Sequence, residues 1–285
     1  MHLWNGYIFI RVIGEIMVTF VDRIGYDSGT TELEEAIETA GIHGIHYLNF
    51  NADIGPNHLG LWDDKRVENI KTQAVAKKIE LCLHTLSSVN VAEFSPVVSD
   101  GVDEYLRANI DLSARLDGYG VVVHAGYHFN TEVTARRDAA LERLKRTVEY
   151  AEQKNQILLL ENLNFEPDDA EVHYMAHTIE ETSFYLNAID SPNLVWSFTV
   201  NHANLVPEGI EGFFKHFGVD RIWEVRLADN LGDKEIHMNP GEGNIDFESV
   251  FRMIESAGYS KFYSMNFGSV ADRIAARDIF ATYSL

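Results

Sequence analysis

The chain of 285 residues has one cysteine, six prolines and only 23 basic residues. Each scarcity excludes something. A lone Cys82 cannot close an internal disulfide, which fits a reducing compartment, so a cytoplasmic location is the expectation. Cys82 lies within the apolar run LCL and reads as an inert core thiol. The 23 bases face 44 acids, for a net charge of −21. Duplex binding needs clustered Lys and Arg to neutralise phosphates, and an anionic membrane surface needs the same. The expected partner is therefore a small molecule, neither nucleic acid nor membrane. No long uninterrupted apolar run is present. The opening MHLWNGYIFIRVIGEIMVTF is broken by Arg11 and Glu15 and has no small-residue cleavage site, so it reads as neither signal peptide nor membrane span. Nothing resembling a Pro/Gly/Ser-rich linker divides the chain. Residues 1–16 are expected to be an extension, and 17–285 one domain.

What is present is alternation. Short β-branched and apolar runs at 17–24, 44–49, 80–86, 120–125, 156–162, 194–200, 223–228 and 261–266 each precede a helical pattern. The helices are expected near 31–41, 65–78, 102–116, 134–153, 178–189, 209–217, 247–257 and 270–282. Thr31 with Glu34, and Thr178 with Glu181, have capping-box spacing, and Gly41 and Gly258 read as C-terminal stops. Eight strands alternating with eight helices predict a parallel sheet closed as a single (β/α)8 TIM barrel; an open α/β sheet is the alternative.

Polar residues recur where strands end: His84 after LCL, His124 after VVV, Glu161 after ILLL, His202 after WSFTVN, Arg226 within WEVRLAD and Asn266 after FYSM. In a barrel these ends converge on one face. An ionisable group at the end of a buried strand needs a partner, and carboxylate with imidazole suits a divalent metal. Four aliphatic residues lead into Glu161, so it either binds a cation or carries a raised pKa suited to proton transfer. His43, His46, His58, His128, His173, His177 and His216 fall in loops, on helices or in strand interiors and are given structural roles. The segment 234–247, KEIHMNPGEGNIDF, combines a tight Pro-Gly-Glu-Gly turn with Asp246 as a helix cap, and so holds His237 on a loop above the barrel mouth.

These pieces resemble the xylose isomerase-like barrel superfamily of sugar isomerases, sugar epimerases and type 2 AP endonucleases. The resemblance rests on LHTLSSVN, VVVHAG, LLLENLN, VNHANL, RLADN and HMNPGEGNIDF, and covers nearly the whole chain from Met17. It implies a divalent metal, Zn, Mn or Mg, at the barrel mouth, held by Glu, Asp, His and Glu on strands 5 to 8. Residue by residue, Glu161 matches, but Thr199, Arg226 and Asn266 stand at the other three positions. Thr and Asn are weak neutral ligands, and Arg is a permanent cation that opposes a metal. His202 and His237 match the family's strand 6 and loop histidines. The endonuclease branch implies further ligands at His84 and His124, which with Glu161 make a His-His-Glu set, and a second set around His202 and Glu235-Ile236-His237.

The leading functional expectation is a sugar isomerase or epimerase-like enzyme acting on a sugar, keto-sugar or polyol. Glu161 takes a proton next to a carbonyl, and Arg226 stabilises the enediolate oxygen. His202 relays protons, while His237, Asn266, Thr199 and Trp62 bind substrate, Trp62 by stacking on a sugar face, with a surface or packing role as its alternative. The alternatives are a dehydratase or lyase of the same barrel family, a non-catalytic sugar-binding barrel, and, disfavoured by the charge, a metal-dependent AP endonuclease. Family barrels often pair, which leaves a homodimer open.

Overall fold

The computed structural model describes residues 19–285. Its strands are β1 (Ile24–Asp27), β2 (Tyr47–Phe50), β3 (Glu80–His84), β4 (Gly120–Val123), β5 (Tyr127–His128), β6 (Leu158–Glu161), β7 (His173–Tyr174), β8 (Leu194–Thr199), β9 (Ile222–Leu227) and β10 (Phe262–Met265). Its helices are α1 (Leu33–Ile42), α2 (Asp64–Lys77), α3 (Pro96–Arg115), α4 (Val133–Gln153), α5 (Ile179–Ala188), α6 (Val200–Ala203), α7 (Gly209–Phe217), α8 (Phe247–Ser256) and α9 (Val270–Phe280). All strands but β5 and β7 close into one parallel barrel, in the order β1-β2-β3-β4-β6-β8-β9-β10 and back to β1. The short β5 and β7 pair antiparallel across the loops that follow β4 and β6. The expected (β/α)8 barrel is the fold. Among the described residues no helix is long and apolar enough to cross a membrane.

Because side chains alternate along a strand, each strand feeds two cores. Leu48, Leu83, Val121, Val123, Leu158 and Leu160 face outward into the layer shared with the helices. Tyr47, Cys82, Val122 and Leu159 form a separate cluster with Tyr119, Trp223 and Phe262 against it. That cluster fills the lower part of the barrel interior. Cys82 is fully buried within it, and burial pushes its thiol well above the ordinary value.

Four local expectations need correction. The first strand was expected at 17–24, but the chain makes a 3-10 turn at Val21–Arg23 and the strand begins at Ile24. The expected extension at 1–16 lies outside the described residues. Thr31 caps nothing: Glu32 is the N-cap residue of α1, Asn57 Oδ1 accepts the Leu33 N–H at 3.1 Å, and Glu34 turns to Arg66. Gly41 lies inside α1, and the positive φ that ends the turn is at Gly44. The Thr178 hydroxyl does accept the Glu181 N–H at 3.2 Å, but the Glu181 carboxylate goes to His177 rather than closing a box.

One irregularity decides the site. Trp196 pairs with Ile222, but the next residue, Ser197, pairs with Glu224, so β9 carries one extra residue. Such a bulge resets the alternation along the strand.

Candidate active site

Glu161 is the last residue of β6 and lies two residues beyond Leu159 on the inward face. It is 3% exposed. Its Oε1 accepts the Thr199 hydroxyl at 2.6 Å and lies 3.6 Å from Arg226 Nε. Its Oε2 lies 3.1 Å from His84 Nε2 and 3.2 Å from His124 Nε2. Burial opposes charge on Glu161, but Arg226 and the two imidazoles outweigh it and hold the carboxyl well below the usual range. Of the two options read from the sequence, a cation partner or a raised pKa, the geometry supplies the cation. His124 is 1% exposed, and burial holds its pKa below the ordinary value against the pull of Glu161.

Arg226, on β9, is 1% exposed. Its Nη2 donates to Asp27 Oδ2 at 2.8 Å and its Nη1 to Glu224 Oε1 at 3.4 Å. Its Nε is buried with no hydrogen bond, and the nearby Glu161 oxygen is beyond bonding reach. Asp27 ends β1; burial opposes its charge, but Arg226 and then His84 lower its pKa. Glu224 lies one layer deeper, with no exposure. It also accepts from the Tyr47 hydroxyl, from Asn49 Nδ2 at 2.8 Å and from the Ser197 hydroxyl at 3.1 Å. Three buried carboxylates thus surround one guanidinium, in a fork geometry that suits Arg and not Lys.

A second cluster lies alongside. His202, on α6, donates its Nδ1–H to Asn162 O at 2.7 Å and points Nε2 at Glu235 Oε1, 3.3 Å away. Burial works against a charge on the ring, but Glu235 and then Glu161 raise its pKa. Glu235 also pairs with His237 Nε2 at 2.6 Å and accepts Asn201 Nδ2 at 3.0 Å. Its own burial is outweighed by His202 and His237, which lower it to about 2. The other Glu235 oxygen is buried without a partner.

The loop carrying His237 is fixed by Asp229. That buried carboxylate accepts the N–H groups of Gly241, Gly243 and Ile245 at 2.9, 3.0 and 3.1 Å, and residues 229 and 238 form a β-bridge. A Cβ at Gly243 would lie 2.2 Å from Asp229 Oδ1, so only glycine fits.

The fold therefore brings Glu161, His84, His124, Thr199, Arg226 and His202 together, and joins His237 to them through Glu235. Asn266 lies just past β10, half-buried, with its N–H on Leu227 O at 2.8 Å. Trp62 is not a free face. It is 7% exposed, donates Nε1–H to Asn57 O at 2.7 Å, and has the Arg66 guanidinium 4.3 Å from its ring centre. Its part is packing. Asp27 and Glu224 belong to the site although neither closes one of the expected strands. Asp27 fell outside a strand placed seven residues early. Glu224 stands two residues before Arg226, the spacing of one strand face, and that signal was available.

The metal implied by the family resemblance meets two different receptions. At its central position the donors are Thr199, Arg226 and Asn266, and a clamped guanidinium there excludes a second cation. That position does not fit. The set His84, His124 and Glu161 does, since its ligand atoms lie within 4.8 Å of one another. Two atoms bound to a tetrahedral zinc, each ~2.0–2.1 Å from it, lie roughly 3.3–3.4 Å apart, close to the 3.1 and 3.2 Å imidazole–carboxylate separations here. His202, Glu235 and His237 form another such set, with the unpartnered Glu235 oxygen beside it.

A family model described as xylose isomerase-like TIM barrel matches residues 27–277. The MJ1311 protein of Methanocaldococcus jannaschii is 29% identical over 72% of this chain and 70% of its own length. Fructoselysine 3-epimerase of Shigella flexneri is 26% identical over 56% of each chain. The crystal structure of a D-tagatose 3-epimerase-like protein superposes with a TM-score of 0.81 at 25% identity, covering 92% of this chain and 96% of that one.

Proposed function

The chain belongs to the xylose isomerase-like TIM barrel family, and from that premise we propose that it is a sugar isomerase or epimerase-like enzyme acting on a sugar, keto-sugar or polyol. The observation that carries the reading is the convergence of Glu161, Arg226 and three imidazoles at the C-terminal mouth of the barrel, where such barrels keep their chemistry. The similarity to a fructoselysine 3-epimerase and to a D-tagatose 3-epimerase-like protein supports the substrate class.

In this reading Glu161 removes a proton next to the substrate carbonyl. Its resting pKa is too low for an efficient base, because Arg226 and the two imidazoles outweigh its burial and stabilise its charge, while the Thr199 hydroxyl also donates to it. A substrate oxygen that gains negative charge competes for the same donors. As it draws them away, the carboxylate regains basicity at the moment the proton leaves. Arg226, fixed by Asp27 and Glu224, is the pre-aligned cation for that oxygen. His202, whose Nδ1–H is held by Asn162 O and whose pKa Glu235 and Glu161 raise against its burial, offers its Nε2–H to a substrate hydroxyl that takes the place of Glu235. His237, Thr199 and Asn266 are the hydroxyl-binding groups of the rim. A divalent ion, when bound, would be held by His84, His124 and Glu161 and would polarise a substrate oxygen.

The test is deuterium exchange from solvent into a panel of keto-sugars, with metal content measured on the same preparation. Exchange that disappears in Glu161→Gln and Arg226→Lys supports the proposal. Tight sugar binding with no exchange in any member of the panel would favour a non-catalytic sugar-binding barrel.

A further inference from the structure

The loops after β4 and β6, joined by the β5–β7 pair, border an open cleft of about 400 Å3 that the rim chemistry does not use. It is lined by Phe165, Tyr174, His128, His177, Glu166 and Asp168, among others. His128 follows His124 by four residues, and Phe165 follows Glu161 by four. A four-residue span reaches at most ~14 Å, so the cleft adjoins the rim. Its walls are tied to the barrel by the Met175 N–H on Gly126 O at 2.9 Å and the Leu163 N–H on Ala176 O at 3.1 Å.

The lining has a definite chemistry. Phe165 and Tyr174 supply apolar ring surface. His128 Nδ1 accepts the Asn130 N–H at 3.1 Å, so a neutral ring carries its proton on Nε2. Burial and the neighbouring His173 lower the His128 pKa. His177 Nδ1 faces Tyr174 O at 2.8 Å and Glu181 Oε2 at 2.9 Å, so it donates there and its Nε2 is left for another partner. Glu166 and Asp168 are acceptors. A phosphate would meet those two carboxylates and be repelled. An alkyl chain would leave imidazoles and carboxylates without partners. A metal ion lacks a site, because the two groups of ligand atoms close enough to hold one, among the described residues, both lie elsewhere. A pyranose fits: its C–H face packs on an aromatic ring, and each hydroxyl both donates and accepts.

We propose that this cleft is a subsite for the distal hydroxylated ring of the substrate, which makes the substrate a glycoside rather than a free monosaccharide. The inference rests on reading the rim as a sugar site. The test is calorimetric binding of a keto-hexose and of the same keto-hexose carrying a second hexose, to the wild type and to Phe165→Leu, which keeps apolar volume and removes the ring. The extended ligand is expected to bind at least roughly tenfold more tightly to the wild type. Phe165→Leu should abolish that advantage and leave keto-hexose binding unchanged. Equal affinity of the two ligands for the wild type, or equal weakening of both by the substitution, overturns the subsite. If neither ligand binds, the imidazole NMR signals of His128 and His177 in the presence of methyl glucoside decide. A shift retains the subsite and sinks the sugar reading of the rim; no shift sinks the subsite.

Discussion

The two ends of the barrel interior are built from the same eight strands in opposite materials. The lower end is a hydrocarbon plug: Tyr47 stacks on Phe262 with centroids 4.5 Å apart and planes 2° apart, over Cys82, Val122 and Leu159. The upper end is a charge cluster in which Asp27, Glu161 and Glu224 surround Arg226. Two residues along a strand separate them, as with Leu159 and Glu161. The plug gains free energy from every apolar atom it removes from water. The cluster pays desolvation for four charges and recovers it through their mutual attraction, so its stability depends on every member being present.

The comparison can be broken first at Arg226. Arg226→Leu leaves three buried carboxylates without their cation and is expected to cost about 3–5 kcal/mol in urea denaturation. A cost under ~1 kcal/mol would mean that the cluster is not the interdependent unit described. The plug is probed by Leu159→Ala, with an expected loss of about 2–4 kcal/mol from transfer and cavity terms. Sugar binding at the mouth should then be unchanged; a parallel loss of binding would mean the two ends are one unit. Glu161→Gln is expected to cost about 1.5–3 kcal/mol, since the folded state stabilises the ionised form.

That third variant also carries a pH signature. The folded pKa values of Glu161, Asp27 and Glu235 are depressed, so their contribution is complete above the unfolded carboxyl range of ~3.9–4.3 and declines as pH falls, for Glu235 down to about 2. Below that unfolded range the stability of Glu161→Gln should fall less steeply with pH than that of the wild type, which chemical denaturation at a series of pH values reads directly. Identical slopes would remove Glu161 from the set of depressed groups. The smallest effect lies at the border between the two ends. Tyr47→Phe keeps the stack on Phe262 and removes one donor from Glu224, for an expected ~1 kcal/mol.

Much of the site was legible because a polar residue closing an aliphatic run has few structural excuses. Glu161 after ILLL, His84 after LCL and His124 after VVV were each visible, and the barrel brings them within hydrogen-bonding reach. Asp27 was not visible, because the run ending at Ile24 looked like a complete strand and the 3-10 turn at Val21–Arg23 has no sequence signature that separates it from one. For Trp62 the sequence leaves stacking on a sugar and packing both open, because an aromatic residue in a loop looks the same in either role until Arg66 and Asn57 are seen to cover it. His128 and His177 read as structural histidines in the sequence, since nothing local shows that the β5–β7 pair brings them to one cleft.

The sequence by itself determined that eight barrel strands alternate with helices along the chain and at which end of those strands charge collects, because periodicity and burial are properties of single segments. Only the tertiary structure decided which charges meet. The extra residue in β9 turns Glu224 and Arg226 inward, and the closure of β10 onto β1 carries Asp27 to a guanidinium 199 residues away. Pairing across such distances depends on register and on strand neighbours, and neither is written in any one segment of the chain.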